Sequence, residues 1–214
     1  MNNDLLNIIR SISSESCPHK INLHCHTIFS DGSLLVEDLI EQACKLNLSH
    51  IAITDHHSVE AYRVASRLLD LKPSKENLPK IWSGIEISCI LNKCLVHILG
   101  YGFDINSRHM IPYLTGESPV GSALDASEVI KSIRLSGGIS VLAHPARYRI
   151  DYKTLIDSAY NSQINGIEVW YDYEMSKPWK PTKYLCKSIL RHTSKYNLLT
   201  TCGTDTHGLS LLSR

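Results

Sequence analysis

His24 and His26 bracket Cys25 in the stretch INLHCHTIFSDGS, residues 21–33, and Asp31 follows in a Ser-Asp-Gly turn. On a β-strand, residues two apart project the same way. The two imidazoles therefore converge on one point, and Cys25 faces the opposite side. Converging neutral imidazoles are what a divalent transition metal takes as ligands. Groups of the same chemistry recur along the chain: Asp55 and His56 in TDHHS, Glu86 in GIEIS, His97 in VHILGYG, His144 in AHPARY, and Asp205 with His207 in GTDTHG. Mixed histidine and carboxylate ligands suit Mn²⁺, Zn²⁺ or Fe²⁺ better than Mg²⁺ or Ca²⁺, which prefer all-oxygen shells.

These residues must be carried by something regular. Short apolar runs at 21–24, 50–54, 81–87, 94–101, 140–144, 166–171 and 198–204 are predicted strands, and most of the candidate ligands lie at or near their C-terminal ends. Amphipathic stretches over 34–47, 58–72, 126–138 and 180–197 are predicted helices. Alternation of strand and helix predicts an α/β fold with a mainly parallel sheet or barrel, and seven strands favour barrel-like closure. In such a barrel, side chains at the C-terminal strand ends gather over one mouth. His19, His109 and His192 fall outside this pattern and His50 starts a strand, so all four read as non-ligands, whereas His57 either faces the cleft or begins a helix. Residues 103–125 lack periodicity and read as a small cap insertion. Residues 1–19 read as an N-terminal helical extension, and 20–214 as a single domain.

Bulk composition narrows the classes. The 214 residues are 43% hydrophobic, enough for one full core. Lys and Arg number 22 against 21 Asp and Glu. That balance provides no basic field for a long nucleic acid, though it permits a short, locally steered strand. No stretch reaches the roughly 18 apolar residues of a membrane helix, and the N-terminus has no apolar signal core. Seven irregularly spaced cysteines predict reduced thiols and a cytoplasmic chain. Cys25, Cys89 and Cys202 read as small core hydrophobes, and Trp82, Trp170, Trp179 and Tyr148 as packing, with base stacking the alternative for Tyr148.

The ordered set HCH with SDG, TDHHS, GIEIS, the histidine of VHILGYG, AHPARY and GTDTHG resembles the PHP (polymerase and histidinol phosphatase) family, over most of the chain from residue 22 to residue 208. It looks most like the stand-alone members that remove the 3′-phosphate of nucleoside 3′,5′-bisphosphates or trim short RNA from the 5′ end. The resemblance implies a distorted seven-stranded β/α barrel holding three divalent metals. Carried over, His24, His26, Glu86 and Asp205 hold one metal; Glu86 bridges to a second held by His97 and His144; Asp31, His56 and His207 hold the third. Two departures stand beside it: the cap over 103–125 is small, and the chain stops seven residues after His207.

The expected activity is hydrolysis of a phosphate ester of a small nucleotide or phosphorylated metabolite by a hydroxide held between metals. Arg147, three residues after His144, is the expected phosphate clamp, with Arg149 the weaker candidate. Asp55 either orients a ligand histidine or caps the following helix. Glu168, an acid in an otherwise apolar run, is either a partner of a ligand or a buried structural acid. The alternatives are an exonuclease trimming short RNA or DNA, an amidohydrolase, and a scaffold that has lost catalysis. An open groove with several Lys or Arg beside the mouth would favour the exonuclease. No membrane partner is expected, and the sequence leaves the oligomeric state undetermined.

Overall fold

The computed structural model describes residues 3–71 and 78–214. Strands β1 (Ile21–Asn22), β2 (His50–Ala52) and β3 (Lys80–Trp82) form a parallel sheet in that order. Strands β4 (Gly84–Leu91), β5 (Cys94–Tyr101), β6 (Ile139–Leu142), β7 (Gly166–Trp170) and β8 (Leu199–Cys202) form a second sheet, also in chain order. Within it β4–β5 and β5–β6 are antiparallel, and β6–β7 and β7–β8 are parallel.

The described residues form eight strands in two sheets, so the expected seven-stranded closure is not confirmed, and two local features account for the division. The run over 81–87 breaks at Ser83, whose hydroxyl donates to the carbonyl of Phe103 at 2.8 Å. At Gly84 the backbone passes so close to the carbonyl of Ile53 that a Cβ would collide with it. The chain leaves the first sheet there and enters the second. The antiparallel pairing begins at Asn92-Lys93, both at positive φ (49° and 60°), which join Leu91 to its partner Cys94. Two left-handed residues between paired strands make a tight hairpin turn whose twist matches the strands.

The sheets meet through loop backbone just beyond the strand ends. His26 N–H donates to Thr206 and Asp205 N–H to His24, at 3.0 and 2.8 Å. On the other side Glu86 N–H donates to Asp55 and His57 N–H to Glu86, at 3.2 and 3.1 Å. These bonds are what bring the ligand-bearing segments together.

Helices α1 (Asn3–Arg10), α2 (Val36–Lys45), α3 (Glu60–Leu71), α4 (Ala126–Leu135), α5 (Tyr152–Asn161) and α6 (Lys183–Thr193) cover the sheets. Residue 72, where the second predicted helix ends, lies outside the described residues. Apolar residues at helical spacing, such as Val36, Leu39, Ile40 and Ala43 of α2, turn inward, and Asp125 caps α4 by accepting from Ser127 N–H. Helix α1 buries Leu5 and Ile9 in one cluster with Trp82, Tyr101 and Ile139. Each such side chain contributes about 1.5–3 kcal/mol, so this segment is built into the core. Residues 103–125 contain two 3-10 turns, bury Phe103, Met110 and Tyr113, and tie to the site through Gly116 N–H to the carbonyl of His57, at 3.0 Å. No described helix is long and apolar enough to cross a membrane.

Candidate metal centre

The nine residues His24, His26, Asp31, His56, Glu86, His97, His144, Asp205 and His207 come together in one cluster, with Glu86 at its middle. Its Oε2 lies 3.1 Å from Nε2 of both His24 and His26 and 3.6 Å from Nε2 of His56. Its Oε1 lies 2.9 Å from Nδ1 of His97 and 3.3 Å from Nε2 of His144. Asp205 Oδ1 faces His24 and His26 at 3.2 Å each. Asp31 Oδ2 lies 3.3 Å from Nε2 of His207 and 3.7 Å from Nε2 of His56.

Three groups have ligand atoms close enough for a common ion: His24, His26, Glu86 and Asp205; His26, Asp31, His56 and His207; and His56, Glu86 and His97. His144 falls outside them but shares Glu86 Oε1 with His97. Two atoms each about 2.0–2.2 Å from one cation lie roughly 3–3.5 Å apart, which is the spacing around Glu86. His26 Nε2 supplies a second test of fit. It is buried and faces two carboxylate oxygens, yet has hydrogen-bonding geometry toward none of them among the described residues. His26 Nε2 would find a partner in a divalent cation held between these groups, and the donor set suits a transition metal.

The charges agree. Burial pushes Glu86 upward, but the facing His24 and His97, with hydrogen bonds from His144 and His24, hold it well below the carboxylate range. Burial likewise opposes and His24, His26 and His144 outweigh it at Asp205, which is also held well below. Burial lowers His24, but the carboxylates of Glu168, Glu86 and Asp205 raise it well above its usual value, and His26 is raised to about 9 in the same way, by Asp205 and Glu86. Burial keeps His56 and His144 below theirs. Exposure is graded across the cluster. The side chains of His24 and His26 are 0% exposed, whereas Asp31 is 55% and His207 30% exposed. A substrate therefore meets the Asp31 and His207 side first.

Supporting contacts fix these ligands. Glu168 Oε1 meets His24 Nδ1 at 2.9 Å, and Oε2 accepts the backbone N–H of His144 at 2.9 Å. Both oxygens of this buried acid are thus engaged with ligand residues. The Asp55 backbone carbonyl accepts from Glu86 N–H, but among the described residues its carboxylate bonds to no ligand side chain. It accepts from Thr27 N–H (2.7 Å), Thr27 hydroxyl (2.6 Å) and Ser30 hydroxyl (2.6 Å), and so fixes the turn between His26 and Asp31. The cap of α3 comes instead from Ser58, which accepts from Glu60 N–H at 3.2 Å. Gly203 lets β8 approach β1, since a Cβ there would run into the Cβ and backbone of His24.

Arg147 reaches the cluster from a 3-10 turn, Pro145–Arg147, and donates from Nη1 to Asp205 Oδ2 at 2.9 Å and to the Tyr171 hydroxyl at 3.2 Å. Two further donors to Asp205 Oδ2 escape the sequence reading: the Tyr171 hydroxyl at 2.6 Å and Arg214 Nε at 2.9 Å. Nothing in their spacing signals them. Arg149 donates to the carbonyl of Lys93, and the Tyr148 hydroxyl accepts from His97 N–H at 2.8 Å. His57 is buried at φ 53°, its Nε2 accepting from Ser88 N–H at 3.3 Å. His192 packs on the helical layer, 2.6 Å from Asp157.

The PHP domain family model matches residues 22–206. The 5′-3′ exoribonuclease Rnm of Escherichia coli (strain K12) is 32% identical over 97 residues, which cover 45% of this chain and 32% of that protein. This chain therefore aligns with about a third of that enzyme's length. Among solved structures, a candidate metal-dependent phosphoesterase from Bifidobacterium adolescentis superposes with a TM-score of 0.68 at 22% identity, covering 89% of this chain and 88% of that one. An amidohydrolase from Chromobacterium violaceum, with bound sulfate and no metal, superposes with a TM-score of 0.72 at 18% identity, covering 88% of each. At these identities the two likenesses are of fold.

Proposed function

Since the chain belongs to the PHP-domain family, we propose that it hydrolyses phosphate esters of a small nucleotide or phosphorylated metabolite, using three divalent transition metals held around Glu86. The observation that carries this reading is the division of Glu86: one oxygen faces His24 and His26, and the other faces His97 and His144. A carboxylate shared in this way could serve two neighbouring cations at once. His24, His26, Glu86 and Asp205 would hold one; His97 and His144, with the other Glu86 oxygen, a second; Asp31, His56 and His207 the third. When bound, such cations supply a water acidic enough to attack at neutral pH and cancel the charge of the phosphate.

The chain's own groups do the rest. Glu168 holds the Nδ1 proton of His24, which leaves the Nε2 lone pair free to serve as a metal ligand. Tyr171 and Arg147 fix Asp205 through Oδ2, so that Oδ1 stays turned to His24 and His26. Asp55 fixes the turn that carries Asp31. Arg147, 36% exposed at its side chain, offers the rest of its guanidinium to non-bridging phosphate oxygens.

The amidohydrolase reading has the superposed Chromobacterium structure in its favour. The exposed trio Asp31, His56 and His207 favours phosphate, because it extends the cation-binding surface past the buried group toward an anionic substrate. The test is a substrate screen on protein loaded with Mn²⁺, containing adenosine 3′,5′-bisphosphate, histidinol phosphate, a short 5′-phosphorylated RNA and a cyclic amide, with His24→Ala as the blank. Phosphate release lost in the blank is expected. Turnover of the amide with every phosphate ester intact would overturn the proposal.

A further inference from the structure

Residues 208–214 return to the metal centre as a docked strap. Gln42 of α2 holds two of them: its Nε2 donates to the carbonyl of Leu209 and its Oε1 accepts from Leu211 N–H, both at 2.9 Å. Leu211 is fully buried in one apolar cluster with Leu34, Leu39 and Ile51. The Thr206 hydroxyl donates to the carbonyl of Ser213 at 2.6 Å, and Trp179 N–H donates to the carbonyl of Leu212 at 3.2 Å. Held in this way, Arg214 brings Nε within 2.9 Å of Asp205 Oδ2, with its side chain 20% exposed.

That contact completes a clamp on a candidate ligand. Asp205 lies beyond the end of β8 at φ 52°, a left-handed conformation that aspartate tolerates. The torsion about its Cβ–Cγ bond is a soft one, so the direction of Oδ1 is set by whatever holds Oδ2. Tyr171 and Arg147 hold it from the segments after β7 and β6, and Arg214 holds it from the strap. The Arg214 charge is aimed at the oxygen that does not face His24 and His26, so the bond orients the ligand without occupying its Oδ1.

We propose that Arg214 is a positioning residue for Asp205, and that docking of the strap and uptake of metal favour each other; the proposal rests on the metal centre of the reading above. Linkage makes the effect reciprocal: the factor by which the docked strap raises metal affinity is the factor by which bound metal stabilises the docked strap. Partners behind metal ligands typically contribute about 10–100-fold in affinity. Arg214 is one of three donors to the same oxygen, so its removal is expected to fall at the lower end.

Two measurements on the intact chain test this without reference to turnover: Mn²⁺ affinity by chelator competition, and hydrogen exchange of the amides of 209–213 with and without saturating Mn²⁺. In the parent protein Mn²⁺ is expected to slow exchange in the strap about tenfold. Arg214→Gln is expected to bind Mn²⁺ about tenfold more weakly and to lose most of that slowing. Arg214→Lys, which keeps a charged donor, is expected to fall between the two. Leu209→Ser changes a side chain of the same strap that is 72% exposed, and is expected to match the parent in both measurements. Parent-like affinity in Arg214→Gln, or strap exchange that ignores Mn²⁺ in the parent, would overturn the proposal. Tighter Mn²⁺ binding by Arg214→Gln would overturn it too, because repulsion between guanidinium and cation would then outweigh orientation. A parent that takes up no Mn²⁺ removes the metal centre and this proposal together, whereas coupled behaviour without release of phosphate from any ester sinks the phosphoesterase reading alone.

Discussion

Glu168 Oε1 sits 2.9 Å from Nδ1 of His24, although the two residues are 144 positions apart in the chain. The pairing holds the Nδ1–H tautomer and aims Nε2 at Glu86 and Asp205. Glu168→Gln keeps the shape but loses the charge-assisted bond. It is expected to lower metal affinity or turnover by about 10–100-fold while the protein stays folded. Competition with a metallochromic chelator, read against circular dichroism, measures both. Parent-like affinity would mean that Glu168 is only a buried structural acid.

Metal uptake should release protons. Without metal, His26 is raised to about 9 and so carries a proton at pH 7.5, and His24 is shifted in the same direction. A ligand imidazole must be neutral. Affinity is therefore expected to climb with pH up to about 9, with at least one proton released per chain near pH 7.5. Titration calorimetry in buffers of different ionisation enthalpy reads the number. The stability sign follows from the same shift. His26 stabilises the metal-free protein fully below about pH 6.5, and that contribution is lost as pH rises toward 9. The metal-free protein is expected to lose thermal stability over this window, and the loaded protein to keep it.

Arg147 and Tyr171 share one oxygen of Asp205 but should separate in kinetics. Arg147→Ala is expected to raise KM for a phosphate ester by about tenfold or more, since bonds to charged groups contribute about 1.5–3 kcal/mol. Tyr171→Phe removes the 2.6 Å donor behind Asp205 and is expected to weaken metal binding, with little effect on KM once metal is saturating. Equal KM effects in both variants would refute the division.

How far the sequence foretold this arrangement depends on the kind of contact. The convergence of His24 and His26 was legible from a strand-like alternation, although β1 ends at Asn22 and both lie just beyond it, and the ligand candidates fall near strand ends where an α/β fold collects them. The break at Ser83 and Gly84 was hidden because it depends on the carbonyl of Ile53, just past β2 and far away in sequence, rather than on any local breaker pattern. The Asn92-Lys93 turn lacks the glycine that usually marks such hairpins. Tyr171 and Arg214 reach Asp205 through tertiary packing, for which one-dimensional spacing has no signal. Glu168 stood out as an acid in an apolar run, but only its partners decide between its two roles.

His57 should set part of the acid lability of the metal-free protein. Burial, with the nearby His56 and His97, lowers it to about 4. A depressed histidine contributes stability above about pH 6.5 that is lost as pH falls through 4, because the unfolded chain takes up the proton first. His57→Asn removes the titration, keeps an acceptor and tolerates the positive φ of this position. Its melting temperature is expected to fall less steeply than the parent's between pH 6.5 and 4. Parallel profiles would mean that His57 titrates freely.

The tight turn at Asn92-Lys93 also orders events in time. It binds Glu86 and His97 into one hairpin, so the bridging acid and one of its imidazoles meet across only 11 positions of chain. His24 and Asp205 meet across 181, and only after β8 is laid beside β1. Contacts close in sequence form early, and those that close long loops form late. The Glu86–His97 contact is therefore expected to form before the His24–Asp205 contact. A chain ending before residue 205 would lack one carboxylate of the proposed set, and metal capture is expected to come late in folding.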